Sequence, residues 1–406
     1  MKKREKILLD HSSQYLNQLC SVISGRSVGS EGNRQSTEYF ESILSSFGWR
    51  TERQEFDAID WQQNGATLKA GNLDFKAFVS PYSSGFSGSG ELAIVSNIAE
   101  LKNGRFQDKI LLLHSDIAKE QLMPKNFVFY NPEEHKRIIA ALEQSKAAAI
   151  ICATGRNPSL AGGVYPFPLI EDGDFDIPSV YMTEEEGKRL LSCVGGRVIL
   201  HSASTRIPGK GCNIIGRIGK EGSNRVVITA HIDAKKGTPG AIDNGTGVAV
   251  LLILAELLTD YSGNRLIEIV ALNGEDYYAV SGQMKYITEN RDGFKDVLLN
   301  INIDGAGYKN SKSAFSFFDL SLTIHQTISA LIGENTNIVE GVPWLQGDHS
   351  IFLQYGRPAI AVSSEWFINN IDSQTITHTE KDNLNIVDYE KVVEIAVVLD
   401  KFVRLL

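Results

Sequence analysis

Apolar positions recur in two periods along the 406-residue chain. Between 12 and 47, Tyr15, Leu16, Leu19 and Val22, then Tyr39, Phe40, Ile43, Leu44 and Phe47, fall at the spacing of helices with one apolar face. Gly48 closes the second helix and 49–56 reads as a strand. From about 61 the texture changes to short alternating segments (66–70, 75–79, 91–95) divided by turn clusters such as Ser83-Ser84-Gly85 and Ser87-Gly88-Ser89-Gly90. A strand at 109–114, a helix at 132–146 opening on Pro132 and a strand at 147–153 form a strand–helix–strand unit. A strand at 178–182 follows, and Thr183-x-x-Glu186 is a capping box opening the helix that holds Leu190 and Leu191. The Gly-, Pro- and acid-rich stretch 157–176 reads as a long loop.

From Asn213 the alternation becomes regular. Strand 225–230, helix 244–259, strand 265–272, helix 279–289 and strand 297–303 succeed one another. An extended pair near 308–318, helix 320–333, strands 337–341 and 358–363 and a last helix at 388–404 complete the set. Such alternation predicts an α/β fold with a doubly wound, largely parallel (mixed) sheet covered by helices on both faces. The chain exceeds one ordinary core, so the reading divides it. One domain comprises 1–59 and 204–406, and a mainly β module, 60–203, is inserted in it. There is no internal repeat.

Composition narrows the function. A net charge of −9 argues against nucleic acid or an anionic membrane as partner through bulk electrostatics. Ile7-Leu8-Leu9 is too short for a signal-peptide core, and no stretch reads as the ~20 apolar residues that span a bilayer. Cys20, Cys152, Cys193 and Cys212 form no C-x-x-C pair and read as free thiols of a reducing compartment. The expectation is a cytoplasmic protein with no membrane and no nucleic-acid partner, a secreted form lacking its leader and a homo-oligomer staying open.

The chemistry lies past the strand ends. Val226 to Thr229 is a β-branched run ending in His231-Ile232-Asp233, and a Gly- and Pro-bearing loop then delivers Gly240-Ala-Ile-Asp243-Asn244 to a helix. Asn273-Gly274-Glu275-Asp276 follows strand 265–272, Asn302-Ile-Asp304-Gly305 ends strand 297–303, and His378-Thr-Glu-Lys-Asp382 follows the loop after strand 358–363. In an open α/β sheet ligands bind beyond the carboxyl ends of the strands. Acids and histidines converging there repel or stay unpaired unless cations sit among them. Zn²⁺ takes imidazole nitrogen and carboxylate oxygen, and hydrolytic sites often pair two such ions.

With these five motifs in order over about 213–382, the chain resembles the M28 family of zinc aminopeptidases, whose pattern has H-x-D, G-A-x-D-N, G-E-E, N-x-D and a late His. The insert resembles a protease-associated (PA) domain, through Lys109-Ile-Leu-Leu-Leu and Glu143-Gln-Ser-Lys-Ala-Ala-Ala-Ile-Ile. The resemblance implies two Zn²⁺ per chain, with Asp243 bridging, His231 and Asp304 completing one shell, and Asp276 and His378 the other. It implies Glu275 as general base and Asp233 as the acid that fixes the His231 ring. The substrates implied are peptides with free N-termini. Two positions depart from the pattern: Asp276 stands where a second Glu is usual, and Tyr277-Tyr278 replace glycine-rich sequence. A ligand shorter by one methylene predicts a weaker ion at the Asp276/His378 site, one that accepts Co²⁺ or Mn²⁺.

Other features read as structural. His114-Ser-Asp116 and His135 lack the partner motifs, so the insert is read as shaping access rather than supplying ligands. Glu184-Glu185-Glu186 suits a helix start, Asp348-His349 an ordered loop near the site, and Trp344, Trp366 and Phe367 core packing. The alternatives are a non-catalytic binding protein on the same fold, or a related carboxypeptidase or N-terminal cyclase. For a carboxypeptidase, Arg206, Arg357 and Lys381 are candidate partners of a substrate carboxylate.

Overall fold

The computed structural model describes residues 2–406 apart from 24, 158, 159, 161, 162, 223, 372 and 374. The chain divides into two compact units, one of residues 1–58, 210–371 and 376–406, the other of 59–209 and 372–375. The chain passes between them inside two long strands, Arg50–Ala70 and Arg197–Gly219.

In the first unit, Arg225–His231, Leu266–Leu272 and Ala359–Ser364 are buried at every residue, and Val297–Ile303 at all but one. These run parallel, which explains why they read as continuous apolar strands rather than alternating ones. Ser313–Phe318 lies antiparallel beside Ala359–Ser364, and the end of Arg197–Gly219 lies antiparallel beside Leu266–Leu272. The extended pair expected near 308–318 is this single strand, because Tyr308 reaches Val387 only through an isolated bridge. In register, His231 faces Leu272, Thr229 faces Asn302 and Ile303 faces Val362. The carboxyl ends of four strands therefore finish level.

Helices cover both faces. Ala241–Gly245 is a wide turn leading into Thr246–Leu257, where every residue but Glu256 is buried. By length and hydropathy Ala241–Asp260 could cross a membrane, contrary to the sequence reading, but 94% of the window that meets this test is buried inside the protein. Its apolar surface is spent on the sheet and on the helices Lys2–Asn17 and Tyr389–Leu405. Among the other helices, Ser281–Asn290 and His349–Gln354 bring Tyr286 and Phe352 together with Phe294.

The second unit carries a mixed sheet. Phe86–Val95 pairs antiparallel with the start of Arg197–Gly219 and parallel with Ile110–Leu113, which continues parallel through Ala149–Thr154 to Ser179–Thr183. The helix Glu133–Ser145 joins two of these strands, as the strand–helix–strand pattern predicts. Thr183 caps Glu184–Leu190 by accepting from the Glu186 N–H. Of the stretch read as a loop, 158, 159, 161 and 162 lie outside the described residues; Phe167, Leu169, Ile170 and Phe175 are buried in a core cluster. The 66–70 segment is the end of Arg50–Ala70, and 75–79 divides between Leu73–Phe75 and Phe78–Val79.

Candidate metal centre

Because the strands end level, their following residues meet. His231 closes its strand, Asp304 follows Ile303, and Glu275 and Asp276 sit in the turn after Leu272. Asp243 arrives on the wide turn ahead of the core helix, and His378 on a loop where its φ of +61° is one that imidazoles tolerate better than most side chains. All these residues belong to the first unit.

The two oxygens of Asp243 face different histidines. Oδ1 lies 3.1 Å from His231 Nε2, and Oδ2 lies 3.1 Å from His378 Nε2. Asp304 Oδ1 is 3.6 Å from His231 Nε2, and Asp276 Oδ1 is 2.9 Å from His378 Nε2. Ligand atoms of His231, Asp243 and Asp304 lie within 4.8 Å of one another, as do those of Asp243, Asp276 and His378, and of His231, Glu275 and Asp276. Both ring nitrogens of His231, Asp276 Oδ2 and Asp304 Oδ1 are buried without a hydrogen-bond partner. Unsatisfied buried polar atoms are costly, so their convergence calls for a cation. Tetrahedral Zn²⁺ with bonds of about 2.0–2.1 Å sets its ligand atoms roughly 3.3 Å apart. The residues present fit two such ions, one among His231, Asp243 and Asp304, the other among Asp243, Asp276 and His378.

The electrostatics agree. Burial alone lowers the His231 pKa, but Asp233, Asp243 and Asp304 outweigh it and raise it well above the usual range. His378 is likewise raised, Asp276 and Asp243 overcoming burial. Burial, with Asp276, Asp304 and Asp348 nearby, pushes the Glu275 carboxyl well up, and burial also raises Asp304. Burial thus opposes the charged forms of Glu275 and Asp304, a cost that nearby dications relieve.

Asp233 faces His231, its Oδ1 3.6 Å from Nδ1. Its carboxylate also accepts from the backbone N–H of Gly274 (2.7 Å), Glu275 (3.3 Å) and Asp276 (3.0 Å). It thereby fixes the turn that carries Glu275 and Asp276. The anchored Asp276 places Oδ1 2.9 Å from His378 Nε2 despite its short side chain.

Asp382, at the end of His378-Thr-Glu-Lys-Asp382, has a role that the motifs do not announce. It accepts from the N–H of Ile242 (2.7 Å) and Asp243 (3.1 Å), and burial together with Asp243 raises its pKa to about 7. Its four-residue spacing from His378 was the available signal. Asp348 accepts from Gln283 Nε2 at 3.2 Å and is pushed up to about 7 by burial. His349 bonds the Trp344 carbonyl at 2.8 Å.

The remaining candidates have other partners, though Phe367 packs against Gly305 beside Asp304. His114 Nδ1 pairs with Ser115 Oγ in the second unit, and His135 Nδ1 accepts from the Met123 N–H. Arg206 is engaged by Asp176 and by the Tyr82 and Phe175 carbonyls, and Arg357 by the Tyr355 and Lys295 carbonyls. Trp344 and Phe367 pack with Ala361, and Trp366 stacks on Tyr308.

A doubly wound α/β sheet whose strand ends gather acids and histidines around room for divalent ions defines the class of this protein. Residues 213–403 match the model of Peptidase family M28. It is 25% identical over 308 residues to the probable lipoprotein aminopeptidase LpqL of Mycobacterium tuberculosis, covering 74% of this chain and 59% of the relative. It is 24% identical over 303 residues to leucine aminopeptidase 2 of Trichophyton rubrum, covering 70% and 55%. The matches thus span little more than half the length of these relatives. Among solved structures, the aminopeptidase from Aneurinibacillus sp. strain AM-1 superposes with a TM-score of 0.75 at 19% identity, over 97% of this chain and 93% of that one. BSAP, a zinc aminopeptidase from Bacillus subtilis, gives 0.72 at 18%, over 97% and 94%. At such identities this likeness concerns the fold.

Proposed function

We propose that the chain is a two-zinc aminopeptidase that removes N-terminal residues from peptides. The observation that carries this reading is Asp243, whose two oxygens each approach a different imidazole at 3.1 Å, as a bridging carboxylate does. Bound Zn²⁺ supplies Lewis-acid polarisation and a water of lowered pKa. Glu275 is the remaining carboxylate, with ligand-type atoms of His231 and Asp276 within 4.8 Å. It takes the proton of the attacking water and returns it to the departing peptide amine. Burial and the neighbouring carboxylates raise its pKa, which favours a carboxylate that can accept a proton. The insert, read as PA-like, supplies none of the ligands.

The test is to load purified protein with Zn²⁺ or Co²⁺ and present matched unblocked and N-acetylated peptides. Cleavage confined to the free N-termini is expected. Equal rates on both would overturn the aminopeptidase reading, and release from the C-terminus would favour the carboxypeptidase.

A further inference from the structure

Arg26 lies in the segment ahead of the family-matched residues, and no periodicity or motif drew attention to it. It is 1% exposed, the largest of the fully buried side chains. Its Nε donates to the Ile232 carbonyl (3.0 Å), Nη1 to those of Leu19 (2.8 Å) and Pro239 (2.9 Å), and Nη2 to that of Gly240 (2.7 Å). Among the described residues its hydrogen-bond partners are carbonyls and the Cys20 sulfur at 3.6 Å, with no carboxylate bonded to the guanidinium. The Asp382 carboxylate lies near enough for Arg26 to stabilise its charge without bonding it, and an apolar residue would serve packing alone better.

The carbonyls it gathers are not arbitrary. Ile232 separates His231 from Asp233, and Pro239 and Gly240 lead into Asp243. One planar fork thus fixes the spacing between the strand end that presents His231 and the loop that presents Asp243. Gly240, at φ +58°, is shaped to this contact: a Cβ there would stand 2.8 Å from Arg26 Nη2. The backbone carbonyl of Arg26 also accepts from Asn33 Nδ2 (2.9 Å), and Asn33 and Asn273 exchange two amide hydrogen bonds of 2.8 and 2.9 Å. Asn273 precedes the turn of Glu275 and Asp276.

We propose that Arg26 is a positioning residue of the metal centre, holding His231 and Asp243 at the separation one ion requires. This rests on the two-zinc reading above. Its test is zinc affinity by competition with a chelating dye, together with the visible spectrum of the Co²⁺-loaded protein, in Arg26→Met and Arg26→Lys. An unrelated core change of the helix Leu322–Gly333, Ile328→Ala, supplies a control with lowered melting temperature. The affinity of the ion held by His231, Asp243 and Asp304 should fall about 10- to 100-fold in Arg26→Met, the range for groups that orient ligands. The Co²⁺ bands should shift, and kcat should fall while KM stays within about threefold. Arg26→Lys, which keeps charge and stem but not the fork, should lie between. Folded Arg26 variants with unchanged zinc affinity and spectrum would overturn the proposal, as would an equal affinity loss in Ile328→Ala. Unmodified protein that binds no zinc would instead sink the two-zinc reading itself.

Discussion

Asp233→Asn separates two roles for one carboxylate. If Asp233 orients the His231 ring, the change weakens the ion that His231 holds. The structure gives it a further task, since three backbone N–H groups of Gly274–Asp276 end on its two oxygens. Asn keeps one carbonyl oxygen, enough for the Gly274 and Glu275 N–H groups, but turns an NH₂ toward the Asp276 N–H or loses that contact. A hydrogen bond to a charged group is worth about 1.5–3 kcal/mol. Losing one corresponds to roughly 10- to 150-fold in an equilibrium constant, at 1.4 kcal/mol per tenfold. That loss should fall on the ion held by Asp276 and His378, and on kcat through Glu275. The assay is titration of Zn²⁺ into metal-free protein, the relevant step being the one that Asp276→Ala abolishes. Should Asp233→Asn weaken only the other step, or neither, the turn-holding argument is wrong.

Three further outcomes follow from the same geometry. Glu275→Gln keeps shape but cannot accept a proton, so turnover should drop at least ~10²-fold with both ions retained; near-full activity would remove Glu275 from the mechanism. Asp276 Oδ1 already reaches within 2.9 Å of His378 Nε2, so the two ions should bind without a marked lag between steps. Asp276→Glu extends the carboxylate by roughly 1.5 Å, against a tolerance of ~0.2 Å in metal–ligand distance, and should weaken that ion. Tighter binding in that variant would restore the view that Asp276 is too short.

What the sequence made readable was what side-chain pattern encodes. The strands ending at His231, Leu272 and Ile303 are apolar runs of the right length, and the residues that follow each are its acids and amides. Level strand ends then bring those residues together without any further information. The long strands Arg50–Ala70 and Arg197–Gly219 were less legible, because only scattered positions are buried along the first and ahead of 211–216 in the second, and polar residues broke the pattern into pieces. Least legible were the contacts between side chains and distant backbone. Arg26 bonds carbonyls more than 200 positions away, and Asp382 bonds N–H groups about 140 away. A carbonyl has no residue identity, so nothing in the partner's sequence announces the bond.

Those same backbone contacts bear on what happens when metal is removed. In small zinc domains the ligands have no fixed place until the ion arrives, and chelation unfolds the chain. Here each ligand loop is tied by groups other than the ligands. Asp382 and Arg26 hold the loop of Asp243, Asp233 holds the turn of Asp276, and His231 belongs to a fully buried strand. The ions should therefore act as bound ligands of a preformed site. One ion at a thousandfold excess over its Kd stabilises by about 4 kcal/mol. At 2–4 °C per kcal/mol for a unit of this size, chelation should lower Tm by roughly 8–16 °C per ion. Far-UV circular dichroism at 25 °C should be unchanged, and activity should return on adding Zn²⁺. A chelated protein that loses its helical signal at that temperature would show that the ions, not the anchors, hold the loops.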